Sequence, residues 1–275
     1  MTTDFRFVAY RDFKRTLGKI NAVVECAELA TRKFVDEAEH AADPDKFVQE
    51  VSAVFKVRVD NLDIPLVKQQ IAQFHIASVH QEFESFLKDL AREIRGELIQ
   101  RPKGMSLLQA TLAELFGSYD KSVKALGPFE IEVADYYRQV RNGFAHTGAE
   151  GVVRRNVDAL RKLVEQQGDP FSRLAAPNLY PGIEFDDFIL FTRVVKQLAL
   201  KFCQAARPTD EAIVDMVLRL DEAGKHNVNL KKLAGRNSLP IRRRRALAGL
   251  LRTLYSLEED DSTPIVELFL SGPLA

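Results

Sequence analysis

Residues 76–94 read IASVHQEFESFLKDLAREI, and their spacing predicts the fold class of the chain. Apolar residues recur every three or four positions, the period that places side chains on one face of an α-helix. These residues are Ile76, Val79, Phe83, Phe86, Leu87, Leu90 and Ile94. The opposite face carries His75, Ser78, Glu82, Ser85 and Asp89. We therefore predict a long amphipathic helix from about Leu66 to Leu98.

The same helical period continues on both sides of this stretch. Further helices are predicted around residues 106–117, after Gly127-Pro128, over 152–166 and over 184–205, separated by breaks rich in Gly, Pro and Asn. Strand-like alternation occurs briefly at Val54-Phe55-Lys56-Val57-Arg58-Val59, and these residues fit a helix equally well. The fold class is therefore predicted to be all-α.

Three parts are predicted along the chain. Residues 1–61 form an N-terminal helical extension, residues 62–206 a helical core and residues 207–275 a small C-terminal helical unit. The last boundary is placed at Arg207-Pro208-Thr209-Asp210, which has the composition of a linker followed by a helix N-cap.

Composition limits the class of protein more than it indicates a partner. The chain has 275 residues, of which 46% are hydrophobic and 28% charged, as in soluble globular proteins. Lys plus Arg equals Asp plus Glu at 39 each, so net charge favours no ligand. Charged residues interrupt the first fifteen positions, which argues against a signal peptide, and no apolar run approaches the ~18–20 residues of a membrane span. We expect a cytoplasmic protein with no membrane partner.

The residues that usually bind metals and cofactors are sparse. Cys26 and Cys203 are far apart among apolar neighbours, so we expect two buried thiols in a reducing compartment and no cysteine-based zinc site. His75 and His80 lie five positions apart on one helix and point in different directions; His80 is instead expected to form a surface pair with Glu84. Glycine-rich phosphate loops are absent. We expect no metal site and no cofactor.

One helix carries an unusual polar face. Residues 135–148 read DYYRQVRNGFAHTG, and Val133, Tyr136, Val140 and Phe144 form the predicted core stripe. The opposite side of the helix carries a second set of residues at the same spacing: Asp135, Arg138, Asn142 and His146. Arg141 lies at the flank of this set. Gly143 lowers helix stability by about 1 kcal/mol relative to Ala, which suggests close approach of another group there.

The six residues from Arg141 to His146, RNGFAH, resemble the Arg-x(4–6)-His signature of HEPN domains (higher eukaryotes and prokaryotes nucleotide-binding) in its Arg-Asn-x-x-x-His form. These are all-α domains of toxin ribonucleases, phage-defence proteins and CRISPR-associated RNases. Residues 78–90, SVHQEFESFLKDL, resemble their first long helix, and the resemblance covers about residues 62–205.

The resemblance implies a metal-independent endoribonuclease, a bacterial toxin or phage-defence effector, in which two copies of the chain form one composite RNA site. His146 is then expected to transfer protons, Arg141 to bind phosphate and Asn142 to orient either the imidazole or the phosphate. A partner defence or antitoxin protein is a further possibility. The resemblance equally allows a non-catalytic HEPN-like module that recruits a partner protein or a nucleotide.

A purely structural role for the same residues also stays open. Arg141 has possible ion-pair partners in Asp135 and Glu82. His146, with Thr147-Gly148 after it, is suited to a helix C-terminal cap, where the helix dipole favours a cation.

A basic segment follows residue 223. Nine Lys and Arg residues and no Asp or Glu lie between Ala223 and Leu257. The segment is consistent with a surface that binds the nucleic-acid backbone, and equally with a solvated helix face partly neutralised by the acidic run Glu258–Asp261. The predicted nucleic-acid contacts are Arg138 of the motif helix together with Lys231, Lys232, Arg242, Arg243, Arg244 and Arg245.

Overall fold

The computed structural model describes residues 4–60, 62–145, 157–224, 230 and 240–272. In these residues the regular elements are eleven α-helices with no strand, which confirms the predicted fold class. They are α1 (Val8–His40), α2 (Pro44–Phe55), α3 (Ile64–Arg95), α4 (Leu107–Phe116), α5 (Tyr119–Leu126), α6 (Pro128–Ala145), α7 (Val157–Gln166), α8 (Phe185–Ala205), α9 (Asp210–Glu222), α10 (Pro240–Tyr255) and α11 (Glu259–Ser271).

Local sequence signals explain most helix boundaries. The predicted long amphipathic helix is α3, and its apolar stripe is buried at Ile76, Val79 and Leu90. Thr209 caps α9 by accepting a hydrogen bond from the Ala212 amide, as its position in the predicted linker indicated. The helix predicted over 152–166 is described from Val157 onward as α7, and residues 152–156 lie outside the described part.

The region between α4 and α6 holds a helix that the sequence analysis did not predict. Gly117, at φ 79°, ends α4, and Ser118 then caps α5 by accepting a hydrogen bond from the Lys121 amide. Gly127, at φ 87°, ends α5 directly before Pro128 opens α6. Two glycines with positive φ therefore bound a helix of only 8 residues, too short to give a clear periodic signal.

The alternating stretch at 54–59 contains no strand. Helix α2 continues through Phe55, and the next residue, Lys56, caps its end with a left-handed backbone at φ 55°. Residues 57–60 have no regular structure and are exposed.

Spatial contact divides the chain into two compact units, each discontinuous in sequence. Unit 1 comprises Met1–Lys14, Glu84–Gly127 and Gln197–Ala275, and unit 2 comprises Arg15–Phe83 and Pro128–Lys196. The division into residues 1–61, 62–206 and 207–275 follows chain order instead, and it stays a prediction.

Aromatic rings form much of the core of unit 1. Phe5 stacks on Tyr255 with ring centroids 5.3 Å apart, and Phe13 packs on Phe86 at 5.0 Å. Phe86 also contacts Phe202, at 6.4 Å. Edge-to-face and offset pairs of this kind stabilise a core beyond the burial of their area.

A glutamate of α3 caps the first turn of α1 in unit 1. The two carboxylate oxygens of Glu93 accept hydrogen bonds from the backbone amides of Val8 and Ala9, at 2.9 and 2.8 Å. Burial raises the pKa of Glu93 to about 7, although these two hydrogen bonds oppose the shift. Arg219 in turn donates to the carbonyl oxygens of Glu93 and Ile94, which lie in the last turn of α3. Side chains therefore satisfy backbone groups that a helix terminus leaves unpaired.

Unit 2 contains α2, α6 and α7, most of α1 and α3, and the first half of α8. Its core includes residues of α6 and α8 with no exposed surface: Val133, Val140, Phe188, Phe191 and Val194. The ring of Tyr137 lies 4.9 Å from that of Phe191 and is also fully buried. The middle of α6 is thus fixed against α8 by apolar packing.

Three predictions about exposure are wrong. His75 and His80 are only 7% and 5% exposed, so the polar face of α3 is narrower than predicted and His80 is not the surface residue that the expected pair with Glu84 required. His75 is buried by tertiary packing, because Phe188 of α8 packs edge-to-face on its ring at 5.7 Å. Cys26 is exposed although Cys203 is buried as expected, since the outward side of α1 carries apolar residues there, including Val23 at 69% exposure.

The burial of His75 predicts acid sensitivity. Burial lowers the pKa of His75 below its ordinary value of 6.5, and the negative charge of Glu28 only partly opposes this. Below about pH 6.5 the unfolded chain binds a proton that folded His75 resists, so the contribution of His75 to stability falls as the pH falls, whereas Glu93, whose pKa burial raises to about 7, contributes in the opposite direction. Between about pH 7.5 and 5.5 the penalty is at most about 1.4 kcal/mol, or about 2–4 °C in Tm. We expect His75→Phe to remove this part of the loss in calorimetric melts at both pH values.

A second histidine supplies the control. His40 is exposed, and its hydrogen bond to the backbone of Asp36 raises its pKa, so it contributes to stability in the opposite direction. His40→Asn is therefore expected to lose at least as much Tm on acidification as the wild type. An equal loss in wild type and His75→Phe would show that His75 is not the sensitive group.

Candidate functional site

The last residues of helix α6 are Arg141–Ala145 of the motif. The predicted core stripe is buried at Val133, Tyr136 and Val140, whereas Phe144 is only half-buried. Gly143 is buried. His146 lies outside the described residues, so the described part of the motif runs from Arg141 to Ala145.

Asp135, which lies on the polar face of α6 before the motif, accepts hydrogen bonds through both of its carboxylate oxygens. Asp135 accepts a hydrogen bond from Arg138 Nε at 2.7 Å through one oxygen and from Gln139 Nε2 at 2.8 Å through the other. The charge of Arg138 is therefore locally neutralised by a half-buried ion pair. Its predicted contact with nucleic acid stays a prediction.

Arg141 is held differently from Arg138. Its Nη1 donates to Oδ1 of Asn142 at 2.9 Å, and both side chains are half-buried. Within the described ranges Arg141 forms no ion pair, so the structural alternative of a pair with Asp135 or Glu82 does not occur there. A neutral amide thus orients a guanidinium whose charge is not cancelled by an ion pair among the described residues.

A buried hydrogen-bond network fixes α6 one turn before Arg141. Asp187 of α8 has no exposed surface, and its carboxylate accepts hydrogen bonds from Tyr137 Oη, the Asn178 amide and side chain, and the Glu184 amide, at 2.8 to 2.9 Å. Tyr136 Oη also donates to the carbonyl of Asn178. Neighbouring tyrosines of α6 therefore bind α8 and the loop that precedes it.

The pKa shifts in this network have a common cause. Burial raises the pKa of Asp187, while its hydrogen bonds from Asn178, Glu184 and Tyr137 lower it. Burial also raises the pKa of Tyr137 well above 10, and the nearby charge of Asp187 raises it further. Tyr137 therefore remains a hydrogen-bond donor.

An exposed aromatic residue beside the motif was missed by the sequence analysis. Phe74 of α3 is 60% exposed, and its ring meets Phe144 edge-to-face with centroids 6.3 Å apart. The sequence does hold a signal for this position, because Phe74 lies one helical turn before Ser78 on the predicted polar face. A large apolar residue on a polar face is informative where a second ring supports it.

The basic segment is described only in part. Lys231 and Lys232 lie outside the described residues. Arg242–Arg245 open helix α10, and Arg242, Arg244 and Arg245 are exposed while Arg243 is half-buried. Tyr255, the one aromatic residue of the segment, is fully buried against Phe5, so its ring is not exposed for base stacking.

Acidic residues neutralise part of the α10 surface. Arg244 forms an ion pair with Glu267, and Arg252 pairs with Glu258 at 2.7 Å. The rest of the acidic run forms the first turn of α11, where the helix dipole favours negative charge. Arg244 and Arg252 are therefore paired with acids, and nucleic-acid binding by Arg242–Arg245 stays a prediction.

The described residues contain neither a cluster of metal ligands nor a helix that could span a membrane. In the ranges given above, no three His, Cys, Asp or Glu side chains cluster as metal ligands. The helices described there also lack the combination of length and apolar character that a membrane span requires.

Comparison of the chain with models of protein families, with curated proteins and with solved structures found no match.

Proposed function

We propose that the chain is a metal-independent endoribonuclease of the HEPN type, a toxin or phage-defence effector. Its site consists of Arg141, Asn142 and His146 from each of two copies. The proposal is supported by the resemblance of the motif and by the positions of its first two residues at the end of α6.

The different partners of Arg138 and Arg141 carry this proposal. Arg138 is neutralised by Asp135, whereas Arg141 is oriented by Asn142 and forms no ion pair within the described residues. A guanidinium binds phosphate through permanent charge and forked donors, and a carboxylate partner would compete with the phosphate. The last turn of α6 therefore offers an oriented cation that suits an anionic substrate.

The proposed chemistry needs a base, an acid and a cation. One imidazole takes the proton from a ribose 2′-hydroxyl, and the resulting oxygen attacks the adjacent phosphorus. The bond from phosphorus to the 5′-oxygen breaks, and an imidazolium returns a proton to that oxygen. His146 suits both steps because a histidine titrates near pH 6.5, and two copies of the chain supply two imidazoles. The products are a 2′,3′-cyclic phosphate and a 5′-hydroxyl end.

Replacing His146 tests the proposal. We expect the wild-type chain to degrade single-stranded RNA in EDTA, and His146→Ala to lower the rate by ~10²–10⁴ because proton transfer is lost. His40→Ala is the matched control, since His40 is exposed on α1 and should leave the rate unchanged. Full activity of a folded His146→Ala protein would refute the assignment.

The same assay distinguishes the alternative function. A non-catalytic HEPN-like module predicts no RNA turnover by the wild type at any protein concentration. It also predicts co-purification of a defined protein, such as a defence or antitoxin protein, which is lost when Arg141 is replaced.

A further inference from the structure

Phe74 differs from isolated apolar surface residues because a second aromatic ring supports it. Single apolar residues on a surface are common and need no explanation. Phe74 is instead 60% exposed while its ring is supported by Phe144 of another helix, in edge-to-face geometry with an interplanar angle of 79°. This contact restricts the ring, which lowers the conformational entropy that a ligand must remove on binding.

The supporting ring connects Phe74 to the motif. Phe144 follows Arg141 by three residues on α6, and residues at this spacing are neighbours on a helix surface, with Cβ atoms about 5–6 Å apart. Three groups therefore follow one another across unit 2: the exposed Phe74 ring, the supporting Phe144 ring and the Arg141 cation. A nucleotide presents matching groups, a flat base and a phosphate joined by a sugar.

The surface of α3 around Phe74 is uncharged, with half-buried Val67, Ile71 and Ala77 between the exposed polar residues. The exposed neighbours on the same face are Gln70, Ser78 and Gln81. Amides and hydroxyls of this kind can form hydrogen bonds to base edges. A stable protein interface, by contrast, has a larger apolar core than one exposed ring among amides supplies. The composition therefore favours a base of a single strand over a second protein surface.

We propose that Phe74 stacks on an unpaired base of the RNA strand whose phosphate is bound by Arg141. Phe144 keeps the Phe74 ring in place, and the neutral amides of α3 border the base. The identity of the strand as RNA rests on the proposed function, while the stacking contact rests on the geometry of the two rings. Stacking on aromatic rings tolerates any base, so the contact sets the register of the strand more than its sequence.

The test measures the affinity of full-length protein for two strands. All variants carry His146→Ala so that bound RNA stays intact, and fluorescence anisotropy in EDTA gives Kd for a labelled oligouridine and for the same strand without bases. We expect Phe74→Ala to weaken oligouridine binding about 5- to 100-fold and to leave the abasic strand unaffected. Phe74→Leu keeps apolar bulk but should lose most of the same affinity, whereas Phe74→Trp should retain it.

An aromatic residue elsewhere in unit 2 supplies the matched control. Phe55 is 72% exposed at the end of α2, and Phe55→Ala should leave both affinities unchanged. The proposal is wrong if Phe74→Leu binds oligouridine as tightly as its parent, or if Phe74→Ala weakens both strands equally. It is also wrong if Phe74→Ala acts by splitting a dimer in sedimentation, which would assign the ring to a second copy.

Failure of this inference can be separated from failure of the proposed function. RNA that stays uncut by the wild-type chain refutes the ribonuclease but leaves the comparison of Kd values intact. Normal cleavage by the wild type with no effect of Phe74 on Kd refutes only the stacking contact. Failure of the parent to bind oligouridine refutes the stacking contact directly.

Discussion

Replacement of Arg141 by alanine is expected to lower the rate of RNA cleavage by ~10²–10⁴, measured in single-turnover reactions with EDTA. The phosphate gains negative charge as the 2′-oxygen attacks, and a fixed cation stabilises that transition state more than the ground state. Arg141 is oriented for this role by its hydrogen bond to Asn142, at 2.9 Å. Arg141→Lys keeps the charge but not the forked donors, so its rate should lie between those of the wild type and Arg141→Ala.

Arg138 offers a control on the same helix. It is half-buried like Arg141, but its charge is already paired with Asp135 at 2.7 Å. Arg138→Ala should therefore reduce the rate much less than Arg141→Ala. Equal losses of cleavage rate in Arg138→Ala and Arg141→Ala would mean that the rate depends on the total positive charge of α6. The proposed role of Arg141 as the specific phosphate ligand would then be wrong.

Replacement of Asp187 by alanine is expected to lower the free energy of unfolding by roughly 3–5 kcal/mol, because several buried donors lose their acceptor at once. The donors of Asn178 and Glu184, in the loop before α8, lose the Asp187 carboxylate as their acceptor, and so does the Tyr137 hydroxyl of α6. Denaturant unfolding followed by circular dichroism measures the change. Because Tyr137 lies one turn before Arg141, the folded fraction of Asp187→Ala should also cleave RNA more slowly.

The neighbouring aspartate separates this network from a general effect of charge. Asp186 is half-buried, and its carboxylate accepts a hydrogen bond from the Ala175 amide at 2.8 Å. Asp186→Ala is expected to cost about 1 kcal/mol, and Tyr137→Phe about 1–2 kcal/mol. A loss for Asp187→Ala no larger than that for Asp186→Ala would show that the buried network contributes little.

The helices that the sequence predicts well are those with strong local signals. Helix α3 follows from an apolar stripe that spans many turns, and α4 follows from the capping box of Ser106 and Gln109 at its start and Gly117 at its end. Helix α6 begins where Gly127-Pro128 breaks the chain. Each of these signals lies within one helix or at its ends, so no knowledge of tertiary packing is needed.

Side-chain environments were harder to predict because they depend on residues far apart in sequence. Burial of His75 results from contact with Phe188, which no local pattern on α3 reveals. The acceptor role of Asp187 likewise depends on Tyr137, 50 positions earlier in the chain. Phe144 satisfied the spacing of the core stripe, yet it lies at the edge of the core, where Phe74 covers only part of its ring.

The candidate site was predictable in position but not in the state of its groups. Spacing indicated that Arg138, Arg141 and Asn142 share the polar side of one helix, and α6 carries them there. The sequence did not reveal that Asp135 neutralises Arg138 while Asn142 holds Arg141. That difference depends on rotamers and local geometry, and it is the reason why Arg141 is the proposed phosphate ligand.

The nature of the cleaved ends tests the ribonuclease proposal most directly. Purified wild-type chain is incubated in EDTA with a labelled single-stranded RNA and with the same sequence carrying 2′-O-methyl groups, and the product ends are identified by mass spectrometry. Attack by the 2′-oxygen predicts 2′,3′-cyclic phosphate and 5′-hydroxyl ends from the RNA and no cleavage of the methylated strand. Intact RNA, products with 5′-phosphate ends, or equal cleavage of the methylated strand would contradict the proposed reaction.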